Sequence, residues 1–303
     1  MPDLADILRQ VRRIELRTER LVSALAAGRY RSAFRGQGME FDEVREYASG
    51  DDVRTIDWNV TARAGKPYIK VFREERELTV LLLVDVSGSM RFGAIPGLSP
   101  RAKLALAAEA AAVVGVTALR NGDRLGLVLF SDRTEVHVPA RRGRGHALRV
   151  VREVLAPAEG ARPTDLAKAL DELGRVAKRR AVCFVVSDFL GAPAQRPALA
   201  TALARAGRRH DIVGLRITDP GETALPAGGA PLVLADPEGG EVGVFAGGAA
   251  ARTRYATAWS EARTATDRLF RSSGCDLVDL LTNESAFTAL EKFFRRRRRR
   301  IHG

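Results

Sequence analysis

Asp85, Ser87 and Ser89 stand at alternate positions directly after the apolar run Leu78-Thr79-Val80-Leu81-Leu82-Leu83-Val84. One carboxylate and two hydroxyls at that spacing can offer oxygens to a single point. Hard oxygen donors around a small site suit Mg²⁺ or Mn²⁺, which keep some of their water and favour octahedral geometry. The competing reading is plainer: the two serines cap a helix and Asp85 bonds a turn. Which holds depends on what the neighbouring elements bring to the same place.

The run before Asp85 is rich in leucine and β-branched residues and closes on a Gly-containing turn, so it reads as a buried parallel strand. A second such run, Ala181-Val182-Cys183-Phe184-Val185-Val186, ends at Ser187-Asp188. From residue 78 onward, strand and helix patterns alternate. Strands are expected near 78–84, 124–130, 134–138, 181–186, 211–217 and 275–280. Helices are expected near 101–120 (Ser99-Pro100 as cap and first position), 145–156, 164–178, 196–207, 249–273 and 283–294, with an irregular Gly/Pro-rich insert at 218–248. Alternation of this kind implies right-handed crossovers and a doubly wound, mostly parallel α/β sheet of the Rossmann type. Ligands in such sheets sit beyond the carboxyl ends of strands at the topological switch point. Asp85 and Asp188 both end strands and can share that crevice.

The first 75 residues have a different character. Ile7, Val11, Ile14, Leu21 and Leu25 form one apolar seam, so residues 3–27 read as an amphipathic helix stopped at Gly28. Residues 34–63 mix charges of both signs with aromatics and follow neither a helical nor a strand period. They read as an ion-paired segment anchored by a buried Trp58. Tyr68–Arg73 then reads as a strand. The organisation expected is an N-terminal helix and clamp segment over 1–75, an α/β domain over 76–294 and a basic tail over 295–303.

With 303 residues, 46% hydrophobic and 28% charged, the chain has an ordinary globular composition and can bury a large core. Cys183 and Cys275 are far apart and match no disulfide framework or C-x-x-C metal site. The longest uncharged stretches fall short of the ~20 residues that span a bilayer, and the acidic start is wrong for a signal peptide. These features read as soluble and cytoplasmic. Six of the twelve excess positive charges belong to Arg295–Arg300, a run that reads as a solvated, disordered extension able to meet any polyanion.

The D-x-S-x-S pattern at Asp85, Ser87 and Ser89 resembles the opening of the metal-ion-dependent adhesion site of von Willebrand factor A domains. That resemblance implies two more ligands, a Thr and an Asp at the ends of later strands or loops. Thr164, in Arg162-Pro163-Thr164-Asp165, and Asp188 stand in the right order. The family usually has Gly before its Thr, and here Arg162-Pro163 take that place. By the same resemblance, Ser87 and Ser89 bind the ion directly, Thr164 directly or through water, and Asp85 and Asp188 largely through water.

Three longer blocks point to a narrower family. Arg45-x-Tyr47-x-x-Gly50-Asp51-Asp52-x-Arg54-x-Ile56-Asp57-Trp58 comes first, followed by Ala62-Arg63. Gly122-Asp123-Arg124-Leu125-Gly126 leading to Phe130, and Asp219-Pro220-Gly221-Glu222 with Leu225-Pro226, complete the pattern. Over residues 30–295 the chain resembles domain of unknown function 58, whose members carry a von Willebrand A-like domain and accompany MoxR-type AAA+ ATPases. The resemblance implies a Mg²⁺ site and a protein partner offering a Glu or Asp carboxylate, either the ATPase or its client. The role it implies is a non-catalytic, metal-dependent adaptor.

The alternative functions are a metal-dependent hydrolase or phosphatase and a nucleic-acid-binding protein. Phosphoryl transfer of the haloacid dehalogenase type needs Asp two residues after the first Asp, where Ser87 stands. No G-x-S-x-G surrounds that serine, and no G-x-x-x-x-G-K-[ST] occurs. The four histidines show no metal-ligand spacing. For nucleic acid there is no zinc finger and no RNP-type aromatic motif.

Overall fold

The structure is a computed structural model that describes residues 39–74, 78–95, 101–157, 162–191, 193–225, 232–235, 238, 242–245 and 248–302. The helix expected over 3–27 and the Ser99-Pro100 cap lie outside the described residues. The chain divides into two units: Phe34–Leu78, and a larger one that includes everything from Thr79 onward.

In the smaller unit, β1 (Met39–Glu46) pairs antiparallel with β2 (Tyr68–Glu74). Helix α1 (Trp58–Ala64) lies between them in sequence, its first turn capped by Asp57, which accepts from Asn59 N and Val60 N. The expected ion pairing is present: Arg45 grips Asp51 with two bonds of 2.7 and 2.8 Å, and Lys70 reaches Asp57 at 3.3 Å. Two expectations fail here. The charge-rich block contains a strand and a helix, because Asp52 and Asp57 supply local caps that a periodicity search does not register. Trp58 is 71% exposed, so it is not a buried anchor within the described structure.

The larger unit is built on a six-stranded sheet. Its strands are β3 (Thr79–Asp85), β4 (Arg124–Phe130), β5 (Thr134–Arg141), β6 (Val182–Ser187), β7 (Asp211–Thr218) and β10 (Asp276–Leu281), in the order β10-β7-β6-β3-β4-β5. All neighbours are parallel except β5, which returns antiparallel along β4. The expected fold class is therefore observed. The central strands β3 and β6 are buried along nearly their whole length on both faces, which is why they read as continuous apolar runs.

Helices α4 (Leu166–Val176), α5 (Arg196–Arg209) and α6 (Ala249–Ser272) cover one face, packing Leu170, Leu203 and Phe270 against Leu81, Leu83, Cys183 and Val185. Gly214 in β7 makes room for this: a Cβ there would stand 2.5 Å from the Phe270 ring. Helix α2 (Lys103–Asn121) packs on the sheet beside α3 (Arg144–Leu155) and α7 (Ala286–His302). Its Ala- and Val-rich length would suffice to cross a membrane by composition, but 72% of it is buried inside this unit. The irregular insert contains a small hairpin, β8 (Leu232–Ala235) with β9 (Val242–Phe245).

The basic run is not a disordered extension. Helix α7 continues through it to His302, and Arg297 is only 11% exposed, paired with Asp276 at 2.9 Å and with Asp211. Two carboxylates at the amino ends of β7 and β10 thus hold a residue that composition alone assigns to solvent.

Candidate metal centre

The sheet order reverses at β3. The chain leaves it towards β4 and β5, then crosses to β6 on the other side. Beyond the carboxyl ends of β3 and β6, where sheets of this kind open a crevice, lie all five sequence-derived site residues. Asp85, Ser87, Ser89, Thr164 and Asp188 are each buried, none more than 8% exposed.

Asp85, fully buried, organises the centre. Its Oδ1 accepts the Ser87 backbone N–H at 2.9 Å, an Asx turn that folds the chain back over the strand end. Its Oδ2 accepts the Thr164 hydroxyl at 2.9 Å and the Ser187 hydroxyl at 2.7 Å. Ser87 and Ser89 face each other with their Oγ atoms 3.2 Å apart, on a short 3₁₀ turn over Gly88–Arg91. Gly88 N donates to Arg162 O at 3.1 Å, so the Arg162-Pro163 pair serves through its backbone to hold the Thr164 loop against the Ser87 turn. Glu238 Oε2 accepts from Thr164 N at 3.3 Å, placing one carboxylate of the insert beside the centre.

On the β6 side, Asp188 Oδ1 accepts from Leu190 N at 3.1 Å, and Oδ2 accepts from Lys103 Nζ at 2.8 Å. Lys103 opens α2 with no exposed side-chain surface and pairs also with Glu222. Glu222 closes the turn Pro220–Glu222, whose capping box rests on the fully buried Asp219. Lys103 thus ties α2, the end of β6 and the turn after β7 together. Burial works against its charge, but Asp188 and Glu222 outweigh it, and its pKa is raised. Phe189, next after Asp188, has φ of +56°, a conformation costly for a bulky side chain. It is held by its N–H on Ser187 Oγ at 3.1 Å and by its ring edge-on to Phe270 at 5.1 Å.

The donor set fits a small hard cation. An octahedral ion with bonds of about 2.0–2.1 Å sets adjacent oxygens roughly 2.9 Å apart. The Ser87 and Ser89 oxygens stand 3.2 Å apart, near that edge length. By accepting the Thr164 hydrogen bond, Asp85 leaves the lone pairs of that hydroxyl unspent, whereas Ser187 Oγ also accepts from Phe189 N. Burial, and then the negative charge of Asp188, push the Asp85 carboxyl up to about 6, as expected of acids that lack a nearby positive charge. Among the described residues no group of three or more His, Cys, Asp or Glu side chains could hold a metal.

Ser187, Lys103 and Glu222 were not among the expected site residues. Ser187 has a legible signal, since it immediately precedes Asp188 at a strand end. Lys103 has none: a lysine opening an alanine-rich helix is ordinarily exposed. Glu222 falls within a family-like motif whose role the motif does not state.

The family described as "Protein of unknown function DUF58" matches residues 43–265. The chain belongs to the DUF58 family. The uncharacterized proteins Rv1480 of Mycobacterium tuberculosis and Mb1516 of Mycobacterium bovis are each 35% identical to it over 304 aligned positions, 98% of this chain and 91% of theirs. Among solved structures, it is similar to the conserved hypothetical protein BatB from Bacteroides thetaiotaomicron (TM-score 0.46, 14% identity, 73% of this chain and 99% of that one). It is also similar to a von Willebrand factor type A protein from Catenulispora acidiphila (TM-score 0.41, 16% identity, 74% of this chain and 43% of that one).

Proposed function

We propose that this DUF58 protein is a non-catalytic adaptor in which Mg²⁺ or Mn²⁺, held by Ser87, Ser89 and Thr164 with Asp85 and Asp188 behind them, receives a Glu or Asp carboxylate of a partner protein. The observation that carries this reading is the arrangement around Asp85. Its carboxylate is spent orienting the backbone and hydroxyls, so an ion here would be held mainly by neutral oxygens. An ion so held keeps much of its positive charge for an incoming anion, and partner binding and metal binding are then thermodynamically coupled.

The same contacts disfavour hydrolysis. A serine nucleophile needs a free base within about 2.6–3.2 Å. The Ser87 hydroxyl meets the Ser89 hydroxyl at 3.2 Å and the Asp85 carboxylate, whose oxygens are already taken by Ser87 N, Thr164 and Ser187. Lys103, held protonated between two carboxylates, is no base either. The partner class we propose, following the family resemblance, is a MoxR-type AAA+ ATPase or that ATPase's client, in the assembly or remodelling of a protein complex.

The test is co-purification of the tagged protein with a MoxR-type ATPase from the same genome, with Mg²⁺ and with EDTA. Capture that needs the metal and is lost in both Asp85→Ala and Ser87→Ala, with folding intact, is the expected result. Capture indifferent to EDTA and to both substitutions overturns the adaptor mechanism.

A further inference from the structure

The end of the sheet opposite the metal centre carries a concentration of arginines that the adaptor reading does not use. Helix α7 turns Phe287, Leu290, Phe293 and Phe294 into the core. It leaves Arg295, Arg296, Arg298 and Arg299 exposed. Arg297 fixes these last turns in place, because it pairs with Asp211 at the start of β7 and with Asp276 at the start of β10. Arg300 adds a second bond to Asp276 at 3.2 Å. The amino ends of β7 and β10 are thereby joined to the arginine-bearing turns.

Two more guanidiniums come from other elements at the same end. Arg180 lies just before β6 and Arg209 just before β7, and Asp211 N donates to Ala181 O at 2.9 Å, which brings those segments side by side. Their charges converge on His210, which is 3% exposed with neither ring nitrogen hydrogen-bonded; burial first, then Arg209 and Arg180, hold its pKa down. The carboxylates that open β7 and β10, Asp211 and Asp276, are already occupied by Arg297 and Arg300. Among the described residues, Arg180, Arg209, Arg295, Arg296, Arg298 and Arg299 form no ion pair.

We propose that this arginine face binds the phosphate backbone of duplex nucleic acid, without reading its sequence. Guanidinium forks match phosphate geometry, and a duplex offers one negative charge per ~1.7 Å of its axis. Three features disfavour the other polyanions. Lodging in a lipid surface calls for an apolar helix side, and α7 has spent its apolar side on the core. The large apolar side chains exposed among the described residues, Val53, Trp58, Ile95 and Leu190, lie on other segments. Single strands are held by stacking on aromatics, and Phe293 and Phe294 are buried. Exposed arginines on a helix, with no large apolar or aromatic side chain exposed beside them among the described residues, are best complemented by a regular array of phosphates. This face is independent of the metal centre, so the two readings stand or fall separately.

Fluorescence anisotropy with a labelled 20-base-pair duplex of arbitrary sequence, titrated with the full chain in EDTA between 50 and 200 mM salt, tests this. The wild type should bind at low salt and release steeply as salt rises. The variant Arg295→Gln/Arg296→Gln/Arg298→Gln/Arg299→Gln, which keeps Arg297 and Arg300, should melt like the wild type. Each lost phosphate contact lowers the slope of log K against log salt by about 0.9, so four remove up to ~3.6. Should that variant fold poorly, Arg180→Gln/Arg209→Gln, on other elements, should lower the slope by up to ~1.8. Vesicles containing phosphatidylserine and poly-glutamate are the competing ligands. Duplex binding unchanged in a folded variant overturns the proposal, as does absence of duplex binding at 50 mM salt. Preference for vesicles or poly-glutamate over the duplex overturns it equally.

Discussion

Substituting Lys103 with Met tests whether the buried ammonium holds the centre together. The side chain has no exposed surface, bonds Asp188 at 2.8 Å and also pairs with Glu222. Methionine fills nearly the same volume, so the loss is electrostatic and not a cavity. Removing one partner from a buried ion pair costs about 3–5 kcal/mol, because the charge left behind is uncompensated. Here two carboxylates are left; Asp188 is 2% exposed and Glu222 13%, so the upper half of that range applies. For a domain of this size the melting temperature should fall by roughly 10 °C. Two signatures separate this cause from ordinary damage. The defect should shrink as pH falls, since burial holds the Glu222 carboxyl above its usual range and its protonation removes part of the stranded charge. Mg²⁺ should raise the melting temperature more in the variant than in the wild type, since ligand linkage grows with affinity and the competing ammonium is gone. Differential scanning calorimetry at pH 5 and pH 8, with and without Mg²⁺, reads both. The triple variant Lys103→Met/Asp188→Asn/Glu222→Gln should recover most of the loss. A Lys103→Met protein that melts with the wild type, or whose defect is the same at both pH values, refutes this reasoning.

Other expectations concern the sites nearby. Arg297→Ala should destabilise by about 2–3 kcal/mol in urea unfolding, less than a fully buried pair because the site borders solvent; a variant as stable as the wild type would return the helix end to the status of a free extension. With its pKa raised to about 6, Asp85 favours the folded state fully below its unfolded value near 4, and that contribution is lost as pH rises through about 6. Metal-free protein should therefore lose stability between pH 4 and 7, and saturating Mg²⁺ should offset the loss at the upper end; a Mg²⁺ effect as large at pH 4.5 as at pH 7.5 would contradict this. Glu238 lies beside Thr164 and competes with any incoming carboxylate, so Glu238→Gln should strengthen capture of the metal-dependent partner several-fold, measured by surface plasmon resonance.

Legibility differed sharply between parts of the chain. The central strands were readable because β3 and β6 are buried on both faces, so their composition alone sets them apart. Asp85 and Asp188 could be placed together because parallel topology fixes where strand ends meet. The small unit was readable only in part: the strand over Tyr68–Arg73 and the ion pairing are observed, whereas the caps by Asp52 and Asp57 and the strand Met39–Glu46 depend on local hydrogen bonds, not on apolar periodicity. Arg297 misled and Lys103 gave no signal for one reason. A long cationic side chain reads as exposed until tertiary structure supplies buried carboxylates, and Asp211, Asp276, Asp188 and Glu222 come from distant parts of the sequence. Trp58 shows the reverse, an aromatic that sequence reasoning buries and the structure leaves exposed.

The central claim is that hydroxyls organised by Asp85 hold a divalent ion. Isothermal titration of Mn²⁺ into the metal-stripped wild type and into Asp85→Ala and Ser87→Ala, each shown folded by circular dichroism, tests it most directly. One saturable site in the wild type, lost in both variants, is the predicted result. Equal Mn²⁺ binding by all three proteins, or no binding by the wild type at millimolar Mn²⁺, would contradict the account.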